Sequence, residues 1–219
     1  MFQGFPEEAL RFYADIAREQ DRDWFDAHRS EYAAHVVEPA ADFILSLGER
    51  LRTLRPEIGF DPNHTGRGSF KKIHTDQRFR KGRDPFKTYA QIIFWEGPLR
   101  TKKENSVFLV HFDPEKVVLA AGLKYMESAT LKEFRRHAAD VDRGASLRDA
   151  VDVATAAGAE LQGSHYKGVP RGYDPEHPNA QLLRHNAMYV AAEASPVPTE
   201  FHGPEFVDWC LERFEPMNA

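Results

Sequence analysis

At 219 residues, with 42% hydrophobic and 29% charged side chains, the chain has apolar material for a core and charge enough for an aqueous surface. A net charge of −5 argues against a general nucleic-acid binder, and no apolar run approaches the roughly 20 residues that a bilayer requires. The lone cysteine, Cys210, excludes an internal disulfide and a thiolate metal cage, and the opening Met-Phe-Gln-Gly-Phe-Pro-Glu-Glu has no signal-peptide character.

From these features we expect a cytoplasmic α+β protein with no membrane segment, folded as a single domain over residues 1–219. Its antiparallel β-sheet would be flanked by an N-terminal helical segment and further helices. Glu7 to Glu19 carries Leu10, Tyr13 and Ala17 on one stripe beside Phe12 and Ile16, which is an amphipathic helix pattern. A second helix is expected from Asp23, with Asp26 three residues on and an apolar face of Phe25, Tyr32 and Val36. Pro39 suits the first turn of a third helix. The stripe of that helix runs through Phe43, Ile44, Leu47, Leu51 and Leu54, and Arg55-Pro56 stops it.

Asp61 to Gly68 reads as a turn-rich loop, after which the period changes. Thr88 to Trp95 has strand character and is ended by Gly97-Pro98. Ser106 to Phe112 and Lys116 to Leu123 are Val-, Leu- and Phe-rich runs joined by Asp113-Pro114-Glu115, so an antiparallel hairpin is expected. Further helices are expected after Ser128, with a capping pair at Thr130 and Glu133, and from Ser146 and Asp149 to Gly158. Ser164 to Pro178 reads as a long loop, Ala187 to Ala192 as a strand and Phe206 to Phe214 as a final helix. Cys210 and Trp209 fall on the apolar stripe of that helix, and Trp24 and Phe25 read as core.

Charge is distributed unevenly. Between Arg67 and Lys87 there are eight Lys/Arg, opposed by Asp76 and Asp84 alone, so this segment carries +6 and the remainder −11. A basic island in an acidic chain points to a local anion site, against the alternative of a solvated loop paired with acidic helices. Gly66-Arg67-Gly68-Ser69 has the glycines of an anion nest but neither a Walker lysine nor a dinucleotide fingerprint, so a plain turn is the simpler reading. In extended form Lys72, His74, Asp76 and Arg78 share one face, where a carboxylate between cations would orient a guanidinium toward phosphate or carboxylate. The alternative is an ion pair that fixes this segment to the core, anchored by Phe79.

A second polar cluster lies in the 164–178 loop and just beyond. It contains His165, Tyr166, Lys167, Arg171, Tyr173, Asp174, His177, Arg184 and His185. His111 and Asp113 alternate onto one strand face, but no convergent ligand spacing points to a metal, and no cofactor motif is present.

Four segments together resemble the bacterial and fungal family called domain of unknown function 2461. They are FQGFPEEALRFYADIAREQDRDWFDAHRSEY, KKIHTDQRFRKGRDPFKTY, FDPEKVVLAAGL and YKGVPRGYDPEHPNAQLLRH, and in order they cover nearly the whole chain. Asp76, Arg78, Phe79, Pro85 and Lys87 match the family's central motif. Lys72 and Thr75 stand where arginines are usual, and Gly82, Arg83 and Phe86 replace Asp/Asn, Lys and Tyr. The resemblance implies an α+β fold of this length and no particular activity.

Three functional readings follow. The first is binding of a phosphorylated or other anionic ligand, a nucleotide or nucleic acid, at a basic cleft. Its ligand-binding residues would be Lys72, Asp76, Arg78, Arg83, Lys87, Lys167, Arg171 and Tyr173, with the two polar segments converging. The second is an enzyme acting on a phosphate ester, with His74, Asp76 or His177 as acid/base groups. The third is a structural or protein-interaction module that uses the basic segment as a partner surface.

Overall fold

The computed structural model describes residues 1–76, 84–98 and 105–218. The order of elements is that of an α+β protein. Helices α1 (Glu7–Glu19), α2 (Arg22–Ala27), α3 (Arg29–Tyr32) and α4 (Glu38–Leu51) come first. Strands β1 (Ala90–Trp95), β2 (Val107–Phe112) and β3 (Val117–Leu123) follow, then α5 (Ser128–Ala138) and α6 (Val141–Ala156). Strand β4 (Glu160–Ser164), α7 (Ala180–Leu183), β5 (His185–Ala194) and α8 (Phe206–Phe214) complete the chain. The strands form one five-stranded antiparallel sheet in the order β1-β2-β3-β5-β4.

The expected hairpin is β2–β3. Its turn closes because the Asp113 carboxylate accepts the backbone N–H groups of Glu115 at 2.8 Å and Lys116 at 3.1 Å, an Asx turn.

One domain over 1–219 remains the expectation from sequence. Within the chain, two compact units stand out by their internal packing. The first comprises Met1–Phe94, Leu109–Leu119 and Glu193–Glu212, the second Trp95–Phe108, Ala120–Ala192 and Arg213–Ala219.

The core of the first unit is aromatic. Phe5 is fully buried, with its ring centroid 4.8 Å from Phe112, 4.9 Å from Phe201, 5.2 Å from Phe2 and 5.5 Å from Phe43. Offset and tilted ring pairs at such separations add to the area term of burial. Helix α1 buries Ala9, Phe12, Tyr13 and Ile16, so its inner stripe is shifted from the Leu10-centred one the sequence suggested: Leu10 is partly exposed and Ala17 exposed. Helix α4 buries Phe43, Ile44, Leu47 and Leu51 as expected. It ends at Leu51, with Leu54 in the turns that follow. Cys210 is buried in α8 beside Trp209, an apolar packing role.

In the second unit Ala138, Leu182 and Leu183 form a small core, joined by Phe134, Leu147, Leu161, Tyr173 and Met188. The buried Asn179 accepts from Arg148, and its amide group donates to the Asp140 carbonyl oxygen at 3.4 Å.

Several element starts differ from the sequence expectation. The N-cap of α2 is Asp21, whose carboxylate accepts the Trp24 N–H at 2.9 Å. The 141–156 stretch is one helix capped by Asp140, and the Ser146 hydroxyl donates back to the Asp142 carbonyl in its interior. Strand β4, Glu-Leu-Gln-Gly-Ser, has no alternating apolar pattern because it is an edge strand with no buried position. Its pairing with β5 shifts register between Gln162 and Ser164, where Gly163 takes φ +95° against the Ala187 carbonyl.

Candidate functional site

Backbone pairing in the first unit builds the platform of the site. The stretch from Ser69 to Thr75 runs antiparallel to the stretch from Pro85 to Ile93. Ile93 N–H donates to Ser69 O at 3.1 Å, Lys71 N–H to Gln91 O at 2.9 Å, Lys87 N–H to Ile73 O at 2.8 Å and Thr75 N–H to Pro85 O at 2.8 Å. Phe70 pairs with Ile92 and His74 with Phe86 as isolated bridges. The pleat then sorts the side chains. Ile73 is buried between the exposed Lys72 and His74, with Asp76 exposed two residues on, as the alternation of the sequence predicts, whereas Phe70, of the same parity as Lys72, is buried.

Helices α2 and α3 supply the facing wall. Arg22, Asp26 and Arg29 recur at i, i+4 and i+7, which places them on one side of the helical run. Phe25, three residues from Arg22 and four from Arg29, borders the same side but is buried beneath the charged groups. Its ring stacks on Phe86 at 4.7 Å and meets the His74 ring edge-to-face at 5.4 Å. The Gln20 side-chain oxygen, at the end of α1, accepts the Phe86 N–H at 3.1 Å. The helical wall and the paired strands are therefore locked together by ring packing and one long-range hydrogen bond.

Between them are two adjoining recesses. A polar one of about 260 Å³ is lined by Arg22, Asp26, Arg29, His74, Thr75 and Pro85, with Phe25 and Phe86 as its floor. A larger one of about 580 Å³ is lined chiefly by Tyr32, Ala33, Val37, Ala41 and Ile73, with His64, Lys72 and Glu38 at its edges. Phe25, Arg29 and His74 border both.

Electrostatics follow from this crowding. Partial burial against the two phenylalanine rings lowers the pKa of His74. Arg29, Lys72 and Arg22 push it down further, and Asp26 opposes them. The imidazole is thus held neutral near pH 7, with a free lone pair available as an acceptor. Arg29 pairs with Asp26 and lies 5.5 Å over the Phe25 ring, which fixes its guanidinium at the junction of the recesses. Arg22 has no ion-pair partner among the described residues. Burial raises the pKa of Tyr32, which shares a hydrogen bond with the buried Tyr13, so both phenols stay protonated.

The sequence candidates fall into four groups. Lys72 and His74 line the recesses, and Asp76 follows them on the same exposed face without lining either recess. Lys87 is half-buried, and its ammonium donates to the Lys72 carbonyl oxygen at 2.6 Å. It shapes the platform, and burial lowers its pKa. Arg78 and Arg83, together with Phe79, lie outside the described residues. Lys167, Arg171, Tyr173 and His177 belong to the second unit. There Tyr173 packs on the small core, and His177 Nδ1 accepts the Asn179 N–H at 3.0 Å within its own turn. Convergence of the two polar segments remains an expectation.

The Gly66–Ser69 stretch behaves as a turn. Ser69 N–H donates to Asp61 O at 2.7 Å, and a Cβ on Gly68 would sit 2.3 Å from the Asn63 carbonyl oxygen. Among the described residues no three His, Cys, Asp or Glu side chains gather as a metal site. His111 Nε2 lies 3.4 Å from the Asp113 carboxylate.

Sequence reasoning missed Arg22, Arg29, Tyr32 and His64. The seven-residue spacing of Arg22 and Arg29 was the available signal, but which element would face them could not be read from it.

The family model described as "Conserved hypothetical protein (DUF2461)" matches residues 8–219, and the chain belongs to that family. No curated protein matches it. Among the described residues no helix is long and apolar enough to cross a membrane.

Proposed function

We propose that this family member binds a phosphate-bearing or otherwise anionic ligand, a nucleotide or nucleic acid segment among the candidates, in the groove between α2–α3 and the Ser69–Thr75 strand. The supporting observation is the meeting of Arg22, Arg29 and Lys72 around His74, with Asp26 as an opposing charge. Guanidinium groups offer paired donors that match phosphate and carboxylate oxygens. An arriving anion would relieve the mutual repulsion of these cations and favour the charged form of His74, so binding and protonation are coupled. The test is a titration with nucleotides and short oligonucleotides at low and high salt, with and without chelator. Binding that weakens as salt rises and ignores chelator supports the proposal. Absence of binding to any anion at low salt refutes it.

A second reading is favoured by the same histidine. A neutral imidazole beside cations is suited to accept a proton from water while the arginines hold a phosphate ester. Phosphatase assays on His74→Gln against the native chain separate the two. Activity lost while ligand affinity is kept would identify an enzyme, and no turnover in the native chain leaves a binding module.

A further inference from the structure

The anion-binding reading leaves the larger recess without a purpose, because a bare phosphate or carboxylate needs only the smaller, polar one. The larger recess adjoins it across Phe25, Arg29 and His74, so one ligand can occupy both. Its walls are Tyr32, Ala33, Val37, Ala41 and Ile73, and three of the groups around the junction (Phe25, Tyr32 and His74) are rings. Phe25 and Tyr32 lie 5.6 Å apart at 58°, and Phe25 and His74 5.4 Å apart at 78°, so ring edges and faces both border the space. Such walls favour a flat ring over a flexible chain, since tilted and edge-to-face contacts add to area burial and a ring loses little rotamer freedom on binding. Its volume falls within the range of small-molecule sites, roughly 300–1,000 Å³. Arg22 and Arg29 stand with His74 at the smaller recess and the junction, while Lys72 and Glu38 line the larger one, so the two guanidinium groups set the direction in which an amphipathic anion would lie.

We propose that the groove takes a small aromatic anion, its phosphate or carboxylate held by Arg22 and Arg29 beside His74 and its ring seated between Tyr32, Val37 and Ala41. This rests on the anion-binding reading and narrows it to one ligand class. The guanidinium of Arg29, already held over one ring, marks the point where head and body of the ligand join.

The experiment is calorimetric titration of the full chain with inorganic phosphate, phenyl phosphate, hexyl phosphate and benzyl alcohol. Phenyl phosphate should bind roughly tenfold to a hundredfold more tightly than inorganic phosphate, the gain expected from burying one ring. Hexyl phosphate should fall between them, and benzyl alcohol should bind more weakly than phenyl phosphate. Ala41→Trp, at a partly exposed helical position, should fill the larger recess and remove the phenyl gain while leaving inorganic phosphate affinity unchanged. Val37→Phe is the parallel variant if Ala41→Trp does not fold, with folding checked by circular dichroism. Equal affinity for inorganic and phenyl phosphate would overturn this inference and leave the anion reading standing. Equal affinity for hexyl and phenyl phosphate would overturn the choice of a ring. Tight binding of benzyl alcohol would overturn the anchoring role of the charge. Binding of none of the four would overturn both the inference and the reading beneath it.

Discussion

Replacing Phe25 with alanine is the sharpest test of how the groove is built. This ring is 3% exposed and joins α2 to the paired strands through Phe86 at 4.7 Å and His74 at 5.4 Å, while also touching Phe12 and Tyr32. Truncating a buried phenylalanine costs roughly 3–5 kcal/mol, through lost transfer energy and the cavity left behind. Phe25→Leu keeps most of the volume, so it should cost less: about 1 kcal/mol for the shape change, plus about 0.5–1.5 kcal/mol for the lost stacking on Phe86. The two variants should therefore differ by roughly 1–3 kcal/mol, a large share of a typical total of about 5–15 kcal/mol. Urea denaturation followed by circular dichroism and tryptophan fluorescence reads this as a shift in midpoint. Two compact units make coincidence of the two probes a necessary check on two-state behaviour. A cost below about 1 kcal/mol for Phe25→Ala, with an unchanged slope, would refute the picture of a ring clamped between helix and strand. Phosphate affinity measured on Phe25→Leu then asks whether the floor of the groove matters once the fold is kept.

His74 has a folded-state pKa below its ordinary 6.5, so the unfolded chain binds the proton more readily and stability should fall as pH drops below about 6.5. The buried His185 contributes in the same direction, and His74→Gln should flatten only part of the slope seen in denaturation midpoints between pH 7.5 and 5. Asp21→Ala removes the cap that accepts the Trp24 N–H, and Asp140→Ala the one that accepts the Arg143 N–H. Each should cost about 1 kcal/mol in urea titrations, and a neutral result would place these caps in water. Gly66→Ala would set a Cβ 2.5 Å from Lys72 Cγ at a backbone φ of +83°. We expect a loss of about 1–2 kcal/mol and weaker anion binding as the lysine stem is displaced, and unchanged affinity would separate Lys72 from the site.

The sheet was legible in the sequence where turn chemistry and side-chain pattern agreed. Asp113-Pro114-Glu115 announces its own turn, and the flanking runs are β-branched and aromatic. Strand β4 was not legible, because a half-wet edge strand needs no apolar alternation and its glycine answers to a carbonyl on β5. The same division holds at the groove. Lys72 and His74 could be placed together from the two-residue period alone. Arg22 and Arg29 looked like any solvated helix face, since the spacing of charges along a helix does not say which element lies opposite. Lys87 looked available for a ligand by composition, yet its ammonium is taken up by a backbone carbonyl fifteen residues away in sequence. Such long-range acceptors leave no local trace.

The helical run does not pass smoothly from α3 to α4. Ala33–Val37 forms a single wide π turn, and Ala33, Val37 and Ala41, spaced by four, border the larger recess. In an α-helix of 3.6 residues per turn, a step of four drifts around the axis. A wider turn takes up the extra fraction, so the three small side chains stand more nearly in line. In terms of chain length, the wall of the recess is one residue inserted into an otherwise continuous helix. Removing the exposed Ala34 would return the run to α pitch and leave the buried stripe of α4 facing inward, while turning Ala33 away from Val37. If the fold keeps its shape on that shortening while the recess narrows, length at this single turn is a determinant of what the groove can hold.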